Sequence, residues 1–123
     1  MKIIAPLVAL ALAAPALAQE DAPASPQLSL EQATNLRCGV VFGTVAAAQD
    51  RGEEAALELP AMKERGREFF VRTTAQLMDD ENLDRDAVKA LVFGQVEEIV
   101  ATDFTDVAEE FPACLLLLEA SGL

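Results

Sequence analysis

Cys38-Gly39-Val40-Val41-Phe42-Gly43-Thr44-Val45-Ala46-Ala47-Ala48 is the stretch that decides how this chain folds. It carries no charge over eleven residues and, wound at 3.6 residues per turn, is apolar nearly all the way round. A helix without a polar face has to be wrapped by other elements, so this one is expected at the centre of an all-α bundle. Gly39, Gly43 and Ala47 stand at i, i+4 and i+8, a stripe of small residues that lets another backbone come close. In a membrane that spacing drives helix dimerisation, but a span needs about 20 apolar residues and this run is too short.

Upstream, Ser29 sits three residues ahead of Gln32, the spacing of a capping box, and predicts the start of this helix. The helix should continue to Asp50 and stop at Gly52. Downstream, Glu53 to Leu59 reads as a short helical piece interrupted by Pro60. Ala61 to Met78 then has Met62, Gly66, Phe69, Phe70, Thr73 and Leu77 on one face, with Glu64, Glu68 and Arg72 opposite. Asp84 is placed as the N-cap of the next helix, with Leu83 and Val88 as its hydrophobic staple. That helix should turn Val88, Leu91, Val92, Val96, Ile99 and Val100 inward and break or bend at Thr102-Asp103. Phe104, Val107 and Phe111 keep the helical rhythm for two more turns, and Pro112 is placed to open a last helix holding Cys114 and Leu115 to Leu118. No segment alternates polar and apolar residues at strand period. The expected architecture is a small bundle of four to five helices over 29–123.

The start of the chain reads as an export signal. Met1-Lys2 precedes the apolar run Ile3 to Ala14, and Ala16-Leu17-Ala18 supplies a signal-peptidase site before Gln19. Residues 1–18 are therefore expected to be a signal peptide cut between Ala18 and Gln19, leaving a 105-residue chain in the periplasm with no membrane anchor. Gln19 to Gln27, rich in Pro, Ala and Ser, reads as a disordered linker ahead of the domain, with 19–28 as its expected extent.

Compartment and cysteine count belong together. Cys38 and Cys114 are the two cysteines of the chain, and an even number in an exported protein points to a disulfide, here between the first and last helices. Free thiols serving a metal or a redox step are the competing reading. Their spacing matches no metal or redox motif, however, and the chain has no His to complete a metal site.

Composition excludes further classes. The formal charge is −12, and about −13 without Lys2, which makes nucleic acid and anionic lipid surfaces poor partners. With no His, Trp or Tyr, the chain lacks the commonest general acid/base and two of the three residue types that dominate interface hot spots. The acidic pairs Glu53-Glu54, Glu97-Glu98 and Glu109-Glu110 point about 100° apart on a helix and form no catalytic dyad. No catalytic residue is assigned, and no cofactor is expected.

Two clusters invite a functional reading. Lys63, Arg65, Arg67 and Arg72 gather half of the positive charges of the processed chain within ten residues. They form either a docking strip for an acidic partner or a solvated face with Glu64–Arg67 and Glu68–Arg72 pairs. Val71 and Met78, off the main apolar face, could add a second contact surface. Asp80-x-Asn82-x-Asp84-x-Asp86 imitates the first half of a calcium loop. Arg85 nevertheless stands where that loop needs Gly, and Leu91 where it needs a bidentate Glu; acids at a helix start explain the same residues. Leu115 to Leu118 is either enveloped by the bundle or partly in contact with another chain.

Glu64-Arg65-Gly66-Arg67-Glu68-Phe69-Phe70-Val71-Arg72, the following Leu77-Met78-Asp79, and Ala113-Cys114-Leu115 with Ala120-Ser121-Gly122-Leu123 resemble a group of small exported, two-cysteine helical proteins of Gram-negative bacteria. The resemblance implies periplasmic placement and brings no catalytic or binding residue with it. The expected role is that of a periplasmic helical protein acting on another periplasmic protein in a chaperone-, inhibitor- or immunity-like way, as a monomer or homodimer. The alternative is a small-ligand or calcium binder using an inter-helix pocket or the Asp79–Asp86 segment.

Overall fold

The structure, a computed structural model, describes residues 26–123. The expected signal peptide and all but the last residues of the expected linker lie outside them. Five helices and no strand occur among the described residues: α1 Leu30–Asp50, α2 Glu54–Leu57, α3 Arg65–Asp80, α4 Arg85–Ala101 and α5 Thr105–Ala120.

α1 is the axis, packing against all four other helices. Cys38 to Phe42 are buried without interruption, which at 100° per residue covers every side of the helix. Both bonds of the capping box are present: Gln32 N donates to Ser29 Oγ at 3.1 Å, and Ser29 N to Gln32 Oε1 at 2.8 Å. At the other end Gly52 takes φ +75°. Its N–H donates to Gln49 O and that of Glu53 to Ala48 O, a Schellman closure that satisfies two of the last carbonyls. Phe42 is the hub of the core. Its ring meets Phe69 of α3 edge-on at 5.4 Å and Phe111 of α5 at 5.7 Å, a geometry that places positive ring edges on negative faces.

Three boundaries or faces differ from the reading of the sequence. α3 begins at Arg65, four residues later than its periodicity predicts, because Gln49 of α1 holds the preceding backbone in another conformation. Its amide nitrogen donates to the carbonyls of Ala56, Leu59 and Pro60, and its oxygen accepts from Met62 N. Pro112 does not open a helix; it lies inside α5, which starts at Thr105. Val107, Phe111, Cys114 and Leu118 form one buried stripe at i, i+4, i+7 and i+11. Burying Val107 and Phe111 alone, at about 1.5–3 kcal/mol each, offsets the roughly 3 kcal/mol a helix-interior proline costs. Val100 of α4 faces outward, 59% exposed; α4 fully buries only Val88 and Ile99.

The break at Thr102-Asp103 is present. Asp103 and Phe104 have φ +50° and +63°, a left-handed step that L residues adopt at a cost. Burial of the Phe104 ring offsets it, and the chain reverses into α5. The disulfide joins Cys38 of α1 to Cys114 of α5 with Cα atoms 5.2 Å apart. No helix among the described residues is long and apolar enough to cross a membrane.

Candidate binding cleft

The stripe of small residues on α1 has two uses. At Gly39 and Gly43 it seats Phe70 of α3: a Cβ on Gly39 would stand 3.4 Å from Phe70 Cα, and one on Gly43 would stand 3.5 Å from the ring. Past Phe70 the trough stays open towards α4, because neither Gly43 nor Ala47 has a side chain long enough to reach it. The result is a cleft of about 440 Å³, within the range of small-molecule sites.

Val40, Gly43, Thr44 and Ala47 of α1 make its floor, and Phe70 and Val71 of α3 make one wall. Val92, Val96 and Val100 of α4 make the other. Val71 and Val100 form the lips, 60% and 59% exposed. The two charged residues that line the cleft are both arginines, Arg51 at the C-cap of α1 and Arg67 in the first turn of α3. Arg51 pairs with Glu53 at 2.7 Å, and Arg67 pairs with Asp50. No carboxylate or cysteine lines this space, which sets an apolar surface next to two guanidinium groups.

The residues singled out in the sequence are distributed differently. Cys38 and Cys114 are bonded and buried. The arginines of the cationic strip pair with different acids. Arg65 reaches Glu119 at 2.7 Å and the main-chain oxygen of Leu123, tying α3 to the end of α5. Arg72 pairs with Glu68 at 2.6 Å as its spacing predicts. Arg67 turns to Asp50 rather than Glu64, and only it reaches the cleft. Lys63 is exposed. In the acidic segment, Asp84 caps α4 by accepting from Ala87 N at 2.8 Å. Asn82 sits in the turn at φ +50°, Asp80 ends α3 and Asp86 stands in the first turn of α4. No group of three or more acidic or cysteine side chains is arranged to hold a metal ion among the described residues.

A second space, about 480 Å³, lies between the start of α1 and the end of α3. It is polar, and its Ser29, Gln32 and Glu81 are already engaged with one another, Gln32 Nε2 donating to Glu81 at 2.6 Å. A third, shallower hollow lies over the disulfide, beside Arg37 and Glu110. Arg37 grips Glu110 with Nε at 2.8 Å and Nη2 at 2.9 Å, and Glu98 stands 3.6 Å away. Hydrogen bonding to Glu110 raises the Arg37 pKa above its ordinary value against the opposing effect of burial.

Reading the sequence did not find the cleft: Val92, Val96 and Val100 pass as core, and Arg51 as a helix-end residue. The signal that could have found it was the small-residue stripe, one residue longer than Phe70 can fill. Together the fold and cleft define a disulfide-clamped helical bundle with an apolar inter-helix cleft. Comparison with family models, with curated proteins and with solved structures returned no match.

Proposed function

We propose that this protein works by binding rather than by turnover, and that it takes up the apolar part of a ligand in the cleft between α1, α3 and α4. The observation that carries the reading is the cleft itself: an apolar floor between three helices, with two valine lips left largely exposed to water. Covering the exposed parts of Val71 and Val100 would return roughly 1 kcal/mol each. The absence of His and of any carboxylate in the lining supports binding over catalysis. The buried disulfide supports work in an oxidising compartment such as the periplasm.

The test uses the neutral dye N-phenyl-1-naphthylamine, whose emission rises in apolar surroundings; with no Trp or Tyr in the chain, the background is low. Saturable enhancement is expected, weakened by Val71→Glu and Val100→Glu, which alter exposed lips and leave the core intact, and abolished by Ala47→Phe. No saturable enhancement, or enhancement indifferent to all three changes, would refute the reading.

A second reading is a protein partner laying an apolar helix face across the same lips. Phe93, 54% exposed, favours it, because Phe93, Val96 and Val100 at i, i+3 and i+7 extend the apolar stripe of α4 beyond the cleft.

A further inference from the structure

The lining of the cleft is polarised along its length. From Val40 to Ala47 the α1 side is apolar or hydroxylic, and the charged groups, Arg51 and Arg67, come at the end where α1 stops. Val40 and Arg51 are eleven residues apart on α1, about 16 Å at 1.5 Å per residue. In a chain with 21 acidic residues no acid lines this space. Asp50 and Glu53 hold the guanidinium groups from outside it, and only in part. Arg67 gives Nη2 to Asp50, while Arg51 gives Nε and Nη2 to one oxygen of Glu53. Nη1 of Arg51 and both Nε and Nη1 of Arg67 have no acceptor among the described residues. Guanidinium forks with spare donors match the planar, two-oxygen geometry of a carboxylate.

On these observations, and resting on the binding reading above, we infer that the cleft takes a single-chain amphiphile with a carboxylate head. Its chain lies along Gly43, Ala47 and the valines of α4, and its head rests between Arg51 and Arg67. The space is too small for a two-chain lipid and too apolar for a sugar or a peptide rich in charge. Two forces oppose the head: the overall negative charge of the chain, and the last carbonyls of α1, which disfavour an anion at a helix C-terminus. The arginines are close and the net charge is spread and screened, so the local contacts prevail. The chain supplies most of the affinity, and the head supplies a preference.

The experiment is displacement of bound N-phenyl-1-naphthylamine by dodecanoate, 1-dodecanol and dodecylamine, each below its aggregation concentration, at low ionic strength. Dodecanoate should displace the dye at roughly three- to tenfold lower concentration than dodecanol, the range expected of two partly exposed charge contacts, with dodecylamine weakest. Arg51→Gln combined with Arg67→Gln should bring dodecanoate to the level of dodecanol. Should that double variant fail to fold, 0.5 M salt on the unaltered protein should shrink the preference in the same direction. Equal displacement by all three compounds, displacement by none, or a preference that neither the variants nor salt reduces would overturn the inference while the binding reading stands. Absence of dye binding would overturn both.

Discussion

Gln49 and Met62 are joined side chain to backbone: the Gln49 amide oxygen accepts the Met62 N–H at 3.0 Å, thirteen residues down the chain. The same amide's nitrogen faces the carbonyls of Ala56, Leu59 and Pro60 at 3.0–3.2 Å. One side chain thus satisfies the end of α2 and the irregular backbone that follows it, and that segment sets where α3 begins. Gln49→Glu keeps the acceptor and removes the donors, turning a carboxylate oxygen on to three carbonyls. An unsatisfied, partly buried group costs about 1–3 kcal/mol, and the repulsion adds to it. The expected result is a destabilisation of about 2–3 kcal/mol in denaturant titration, with proteolytic cleavage appearing first between 56 and 64.

Gly66 is required by contact rather than by backbone angle. A Cβ there would fall 2.8 Å from Met62 Sδ, 2.9 Å from Met62 Cβ and 3.1 Å from Phe42 Cβ. Ala in place of Gly ordinarily favours a helix by up to about 1 kcal/mol. Here the two Cβ atoms cannot retreat without moving backbone, and overpacking of that kind costs about 1–3 kcal/mol. Gly66→Ala should therefore lower stability by about 1 kcal/mol. In contrast, Gly94→Ala, whose Cβ meets nothing within 4 Å, should raise it by several tenths. Parallel thermal melts of the two variants check the sign of each.

What the sequence disclosed follows from how local each signal is. The α1 cap is written in Ser29 and Gln32, the central place of α1 in Cys38 to Ala48, and the clamp in two cysteines of an expected exported chain. All are properties of a few adjacent residues or of a count. The start of α3 was not legible because it depends on Gln49, which reads as an ordinary helix-end residue until the fold brings the 56–62 backbone against it. Pro112 misleads for a related reason. Its local preference is to open a helix, and it is outvoted by a buried stripe that only the packed bundle creates. The cleft escaped notice because a half-exposed valine and a core valine look alike in one dimension. Only the arrangement of three helices leaves Val92, Val96 and Val100 along an open side.

Nothing in the sequence pairs Arg37 with Glu110, 73 residues away, yet their fork is a half-buried two-bond ion pair between α1 and α5. Exposed pairs are worth about 0.2–1 kcal/mol; a bidentate pair with restricted solvent access should lie at the upper end. A double-mutant cycle on Arg37→Ala and Glu110→Ala should give a coupling of about 1 kcal/mol that declines with salt. Arg37→Lys should restore little of it, because an ammonium cannot make both bonds. The pH dependence follows from the raised pKa of Arg37. A raised value stabilises the fold fully below the unfolded-state pKa, and this is lost as pH rises through the folded-state value. For an arginine that window lies far into alkali, so from pH 5 to 9 this residue should contribute no slope to stability.

Cys38 and Cys114 close a loop across a sequence separation of 76. The chain-entropy argument assigns such a loop about 4.5 kcal/mol through the restriction of the unfolded chain, and measured losses commonly run from 2 to 5 kcal/mol. Cys38→Ala with Cys114→Ala keeps small apolar side chains in buried places, so most of the loss should arise in the unfolded state. For a domain of this size 1 kcal/mol corresponds to about 4–8 °C in Tm. The double variant is thus expected to melt about 10–30 °C lower while keeping its helical signal at 20 °C. Both cysteines are buried, with the Arg37–Glu110 fork beside them on the wall of the hollow, so a thiol reductant has restricted access without local opening. Reduction of the native protein should be slow, quicken with sub-denaturing urea, and run faster in Arg37→Ala than in the unaltered chain. Equal reduction rates with and without Arg37 would show that the fork does not guard the bond, and an unchanged Tm in the double alanine variant would remove the clamp from the account of stability.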